Sequence, residues 1–144
     1  MKFLRCGDAL AVNRFPAVLA SLAVLATAGC GSVDDRGDAA SAAAVQMLGA
    51  VANNHGADAC AILAPDTVSE LEESAGKPCP EAILEEDLSP PGSVTGAAVY
   101  GQWAQVRLTD DTVFLGVFPG GWRVVAAGCT AREALPYDCT LQRG

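Results

Sequence analysis

Few residues in this chain have the chemistry of a catalytic centre. The single histidine, His55, lies in an Asn-Asn-His-Gly run that predicts a solvated turn. Asp110 and Asp111 are neighbours in a predicted hairpin turn, where their side chains should point apart and face water. Such a pair is not expected to develop the opposed pKa values that acid–base catalysis needs. The chain also lacks G-x-S-x-G, H-E-x-x-H and phosphate-loop motifs. We therefore expect no catalytic residues and no cofactor.

The cysteines are the residues whose spacing is most informative. Cys60 and Cys79 flank a predicted helix, and Cys129 and Cys139 flank the C-terminal tail. A zinc site is the alternative, but the chain has no C-x-x-C spacing, so we expect no metal. Four cysteines allow three connectivities. Proximity along the chain favours Cys60 with Cys79 and Cys129 with Cys139.

The first 29 residues have the pattern of an export leader. Lys2, Arg5 and Arg14 supply the positive charge, and residues 16–25 form an apolar run that is followed by small residues. The uncharged stretch over residues 15–32 is borderline in length for a spanning helix, which typically needs about 20 residues. An uncleaved membrane anchor is therefore the alternative to a cleaved leader.

The end of this leader predicts how the protein is attached to the membrane. Ala28-Gly29-Cys30 resembles the bacterial lipobox, which implies that Cys30 receives a diacylglycerol and becomes the new N-terminus. An ordinary cut after Ala26-Thr27-Ala28 is the alternative. If Cys6 leaves with the leader and Cys30 is lipidated, an even number of cysteines remains for pairing in an oxidising compartment. The prediction is a lipid-anchored protein on the extracytoplasmic face of the cell membrane.

The mature chain is strongly acidic. From Cys30 onward it has 6 basic and 16 acidic residues, a formal net charge of −10. Nucleic acid is disfavoured as a partner because phosphate binding needs clustered Lys and Arg. Residues 30–38 are polar and predict a flexible tether. Residues 39–144 have the length of a single domain.

The periodicity of this domain changes from helical to alternating, which predicts an α+β fold. A first helix is expected over residues 39–53, a short second one capped by Asp58, a third from Thr67 to Ser74, and a fourth beginning near Pro80. Alternation then predicts four strands over residues 94–100, 102–108, 113–118 and 122–127. The N-terminal helices should pack on one face of this four-stranded antiparallel sheet.

The register of the last strand determines which side chains face the helices. One register turns Trp122, Val124 and Ala126 inward; the other turns Arg123 inward and buries a guanidinium without an evident partner. Burying an unpaired charge is the larger cost. We expect Trp122 on the helix-covered face.

The C-terminal pattern runs from Gly121-Trp122-Arg123-Val124-Val125-Ala126-Ala127-Gly128-Cys129 to Pro136-Tyr137-Asp138-Cys139. Together with the lipobox leader and the Ala-rich helix, it resembles small actinobacterial lipoproteins of unknown function. The architecture looks like the cystatin-like or NTF2-like α+β folds. This resemblance implies a fold and a location at the cell membrane, and it implies no activity.

Three functions remain open at this point. The first is a non-catalytic binding or accessory module of the cell envelope, with Trp103, Phe114 and Phe118 as contacts for an unidentified envelope protein or a small apolar ligand. Core packing is the alternative role of these aromatics. The second is a hydrolase or isomerase that acts on small molecules in an NTF2-like pocket. The third is a purely structural envelope protein.

Overall fold

Helices form the first half of the domain and an antiparallel sheet forms the second half. The computed structural model describes residues 32–143. The helical elements are α1 (Val33–Ala52), α2 (Gly56–Cys60), α3 (Pro65–Ala75), α4 (Cys79–Ala82) and a 3₁₀ turn (Ile83–Glu85). The strands are β1 (Val94–Tyr100), β2 (Trp103–Leu108), β3 (Thr112–Phe118), β4 (Gly121–Arg132) and β5 (Leu135–Gln142). They form one meander in the order β1-β2-β3-β4-β5. The α+β prediction is confirmed.

The sheet has five strands, so the prediction of four is wrong. The segment treated as a disulfide-bound tail is β5, and β4 continues to Arg132. Gly128 and Pro136 resemble chain breakers in the sequence. Gly128 instead takes a positive φ of 65° within β4, and Pro136 falls where the β4–β5 register shifts. The strands therefore continue through both residues.

Helix α1 begins earlier than predicted. Ser32 caps it: the Ser32 hydroxyl accepts the Asp35 N–H at 3.0 Å, and the Asp35 carboxylate accepts the Ser32 N–H at 2.9 Å. Hydrogen bonding with the Ser32 side chain, and then with its backbone, lowers the pKa of Asp35. Residues 33–38, which were predicted to belong to the flexible tether, are therefore the first turns of α1. Residues 1–31, including the leader and Cys30, lie outside the described residues.

The two following helices also start at other residues than predicted. Asp58 lies inside α2, which begins at Gly56 with no side-chain cap. Helix α3 begins at Pro65, whose fixed φ suits the first helical turn. Thr67 does not cap α3; it is buried and its hydroxyl donates to the Val125 carbonyl at 3.1 Å. The predicted fourth helix is confirmed, with Pro80 in the first turn of α4.

The core lies between α1 and one face of the sheet. The buried residues of α1 recur at helical spacing, and the buried residues of β2 and β3 alternate, so one helix face meets one sheet face. The largest fully buried side chains are Met47, Leu48, Ile83, Val106, Val113, Leu115, Val124 and Thr67. The helix-covered face of the sheet is filled by side chains.

A β-bulge in β4 modifies the predicted register. Phe114 pairs with Ala126 while Leu115 pairs with Val124, so Val125 is the extra residue. Before the bulge, Trp122 packs half-buried against the core beside fully buried Val124, as predicted. After the bulge the parity changes, so the expectation that Ala126 points inward is wrong, and Ala127 is the fully buried residue.

Two disulfides join neighbouring elements, and both predicted pairs are formed. Cys60, the last residue of α2, is bonded to Cys79, the first residue of α4. Cys129 of β4 is bonded to Cys139, its directly opposed partner in β5. Each bond closes a loop of the chain and restricts the unfolded state.

Candidate functional site

The three predicted contact residues lie together on one surface. Trp103 pairs with Gly116, and Gln105 pairs with Phe114. The alternate residues of β2 are buried under the helices, so Trp103 and Phe114 point to the other side of the sheet. Phe118 lies four residues after Phe114 on the same strand, so its side chain points to the same side. We call this helix-free side, carrying Tyr100, Trp103, Phe114, Phe118, Arg123 and Tyr137, the open face.

One row of side chains crosses four strands of the open face. Tyr100 pairs with Trp103, Trp103 with Gly116, and Gly116 with Arg123. Tyr100 is 67% exposed and Trp103 is 46% exposed. Two aromatic rings and a guanidinium are therefore presented on a single rigid row.

Gly116 shapes the centre of this row. A Cβ on Gly116 would lie 3.1 Å from the Phe118 ring and 3.2 Å from the Trp103 ring. The two rings therefore lean over the glycine and bury it. At Gly116 the rings of Trp103 and Phe118 therefore form one aromatic surface on the open face.

Tyr137 also belongs to the open face, although it was not among the predicted contact residues. Its ring meets the Phe114 ring edge-on, with centroids 5.0 Å apart and planes at 75°. Its hydroxyl accepts a hydrogen bond from Gln105 Nε2 at 3.0 Å. Only recognition of β5 as a strand would have indicated that Tyr137 returns over the sheet.

The charges of the domain are unevenly distributed between its two halves. Residues 32–93 contain twelve acidic and two basic residues, whereas residues 94–143 contain four of each. One of these four arginines lies over an aromatic ring of the sheet: the Arg143 guanidinium is 5.4 Å from the Trp103 ring centroid. The helical half therefore carries the negative charge, and the open face combines arginine with aromatic rings.

The ionisable candidates do not converge in an enclosed site. His55 Nδ1 is 4.0 Å from Asp58 Oδ2, and both side chains are well exposed, at 66% and 77%. They border a shallow groove of about 370 Å³ between α1 and α2. Asp110 is exposed, as expected.

The prediction that Asp111 faces water is wrong. Asp111 is buried, and its carboxylate accepts the backbone N–H groups of Gly128 and Cys129 at 3.1 and 2.9 Å. Thr67 and Asp111 are the buried polar residues of the described chain, and both are bonded to backbone. Their geometry indicates a structural role.

A second concave surface adjoins the open face. A groove of about 540 Å³ lies between the α2–α3 segment and the β3–β4 turn, with Phe118 and Arg123 on its sheet side. Over residues 32–143, no cluster of histidine, cysteine and acidic side chains is arranged to hold a metal ion. None of the helices in that range combines the length and apolar character needed to cross a membrane.

Comparisons with known proteins do not assign the chain to a family. No family model matches it, and searches of curated proteins and of solved structures gave no significant match.

Proposed function

We propose that this protein is a lipoprotein attached through Cys30 to the extracytoplasmic face of the cell membrane. Its domain would act there as a non-catalytic binding or accessory module of the envelope. The disulfides support this location, because they pair the four cysteines Cys60, Cys79, Cys129 and Cys139. Cys30 is then the cysteine of the proposed mature chain outside these pairs. Two structural disulfides are also typical of an oxidising compartment.

The observation that carries the binding function is the exposed aromatic row of the open face. Tyr, Trp and Arg are enriched in the energetically dominant parts of protein interfaces. Here Tyr100, Trp103 and Arg123 stand in one row, and no helix within residues 32–143 covers them. The proposed partner is an envelope protein or a small apolar ligand.

The fold supports a cystatin-like or NTF2-like assignment as part of this proposal. The arrangement of N-terminal helices on one side of an antiparallel meander is what supports this assignment. An enzyme of the NTF2-like type would need ionisable groups converging in a pocket. The helix-covered face is filled by side chains such as Met47 and Leu115, which favours binding over a hydrolase or isomerase.

Site-specific photocrosslinking in cells tests the binding function. A benzoylphenylalanine at position 103 would replace an exposed ring on the open face, and the same residue at exposed Glu73 of α3 is the matched control. We expect a discrete adduct from position 103, with either a protein or a small molecule, and none from position 73. Intact-mass measurement detects both kinds. Equal labelling at the two positions, or no adduct at position 103, would contradict the proposal.

A further inference from the structure

The groove beside the open face has one charged residue in an otherwise apolar lining. Leu63 and Val68 form its helical side, Phe118 and Pro119 form its sheet side, and the Cys60 disulfide lies at its edge. Arg123 supplies the single charge. A volume of about 540 Å³ lies within the usual range of small-molecule sites, roughly 300 to 1,000 Å³.

The backbone positions Arg123 at this groove. It lies on β4 opposite Gly116, just after the tight β3–β4 turn. A Cβ on Gly120 would be 3.4 Å from Arg123 Nη2, so the guanidinium lies beside the turn. The side chain is half-buried. Arg123 lines the groove together with the apolar side chains of Leu63, Val68 and Phe118.

The Arg123 guanidinium has no carboxylate partner among residues 32–143. In that range Lys77 pairs with Glu85, and His55 lies 4.0 Å from Asp58; neither pair includes Arg123. A partly desolvated guanidinium gains from an oxyanion such as a carboxylate, which it can bind through two parallel hydrogen bonds. The groove therefore contains a guanidinium, that of Arg123, which is available to bind an anion.

The negative charge of the domain does not cancel this local preference. It resides in the helical half, and the sheet half is formally neutral. Asp66, in the first turn of α3, is exposed and does not line the groove. At physiological ionic strength charges further away than about 8 Å are largely screened. Direct contact with Arg123 then determines the sign of the ligand.

We propose that this groove binds a small molecule with an apolar body and one terminal carboxylate. The body lies against Leu63, Val68 and Phe118, and the carboxylate pairs with Arg123. The inference rests on the proposed binding function and narrows it to one ligand class. The adjoining aromatic row extends the apolar surface available to a longer ligand.

The test compares two isosteric probes on the full chain in lipid nanodiscs. The probes are 4-phenylbutyrate and its neutral amide, titrated by saturation-transfer NMR against empty nanodiscs as the blank. We expect the carboxylate to bind at least tenfold tighter than the amide. Arg123→Gln should abolish this preference, and Arg123→Lys should keep part of it. Arg107→Gln removes an exposed arginine of the same sheet outside the groove and should change affinity less than twofold.

A fourth variant tests where the apolar body of the ligand binds. Ala61 is exposed at the groove edge, so Ala61→Trp should fill the groove and abolish binding of both probes without disturbing the core. Equal affinity of the wild type for carboxylate and amide would overturn the inference, as would no binding of either probe. Carboxylate preference that survives Arg123→Gln would also overturn it. The crosslink at position 103 reports separately on the proposed binding function.

Discussion

The carboxylate of Asp111 accepts the backbone N–H of Cys129 at 2.9 Å and thereby joins the β2–β3 turn to β4. Its other oxygen accepts the Gly128 N–H at 3.1 Å. These amides lie beyond Ala126, where the β3–β4 ladder ends. One buried side chain therefore supplies the acceptors that β3 does not provide.

The first prediction is that Asp111→Ala destabilises the domain. It leaves two amides without acceptors; a buried unsatisfied group costs about 1 to 3 kcal/mol, and because the Gly128 amide is only part-buried we expect a total loss of about 2 to 4 kcal/mol. Urea unfolding at neutral pH measures it. Asp110→Ala is the control, because Asp110 is exposed, and should change stability by less than about 0.5 kcal/mol. Equal effects of the two substitutions would contradict the structural role of Asp111.

The second prediction concerns Gly56, the first residue of α2. A Cβ at this position would overlap the backbone carbonyl of Pro80 in α4, next to the Cys60–Cys79 disulfide. Since neither backbone can move freely, Gly56→Ala should destabilise by about 1 to 3 kcal/mol, the usual cost of overpacking. Thermal unfolding with the disulfides intact measures the change.

Gly49→Ala is the matched control for Gly56. Gly49 lies in the interior of α1, and its added Cβ would meet only Pro91 at an ordinary 3.9 Å. Ala exceeds Gly in helix propensity by about 0.8 to 1.0 kcal/mol, so this variant should be as stable as wild type or more stable. If Gly56→Ala were also as stable as wild type, that result would contradict the close approach of α2 to α4.

The third prediction separates adjacent residues of β4. Trp122 packs against the core, and the Arg36 guanidinium lies 5.5 Å from its ring centroid. Trp122→Ala should cost about 3 kcal/mol, the low end for a large aromatic in a core, because the ring is only half-buried. Arg123→Ala should cost less than about 1 kcal/mol. Chemical denaturation compares them, and a Trp122 variant as stable as wild type would remove that residue from the core.

Much of the fold followed from side-chain periodicity. Helical spacing of Ala44, Met47 and Leu48 predicted the buried face of α1, and alternation predicted the inward residues of β2. Element ends were less accurate because they depend on backbone partners. Thr67 resembles a helix cap in the sequence, yet its hydroxyl bonds to the carbonyl of the bulge residue Val125. That bulge has no local sequence signal.

The candidate site was predictable only in part. Trp103, Phe114 and Phe118 could be placed by strand parity, and they share the open face. Tyr137 reaches that face because β5 forms a hairpin with β4, and a Pro136-Tyr137 sequence does not indicate a strand. The groove at Arg123 needs the α2–α3 segment and the β3–β4 turn together. Residues so far apart in sequence give no common pattern.

Lipidation at Cys30 is the central claim, and metabolic labelling with an alkyne fatty-acid analogue tests it most directly. Wild type, Cys30→Ala and Cys6→Ala would be expressed in a bacterial host that processes lipoproteins, and label and membrane association would be compared. Wild type and Cys6→Ala should both carry the label and sediment with membranes. Cys30→Ala should be unlabelled and lose its membrane association. An unlabelled wild-type protein, or a label that persists in Cys30→Ala, would contradict the account.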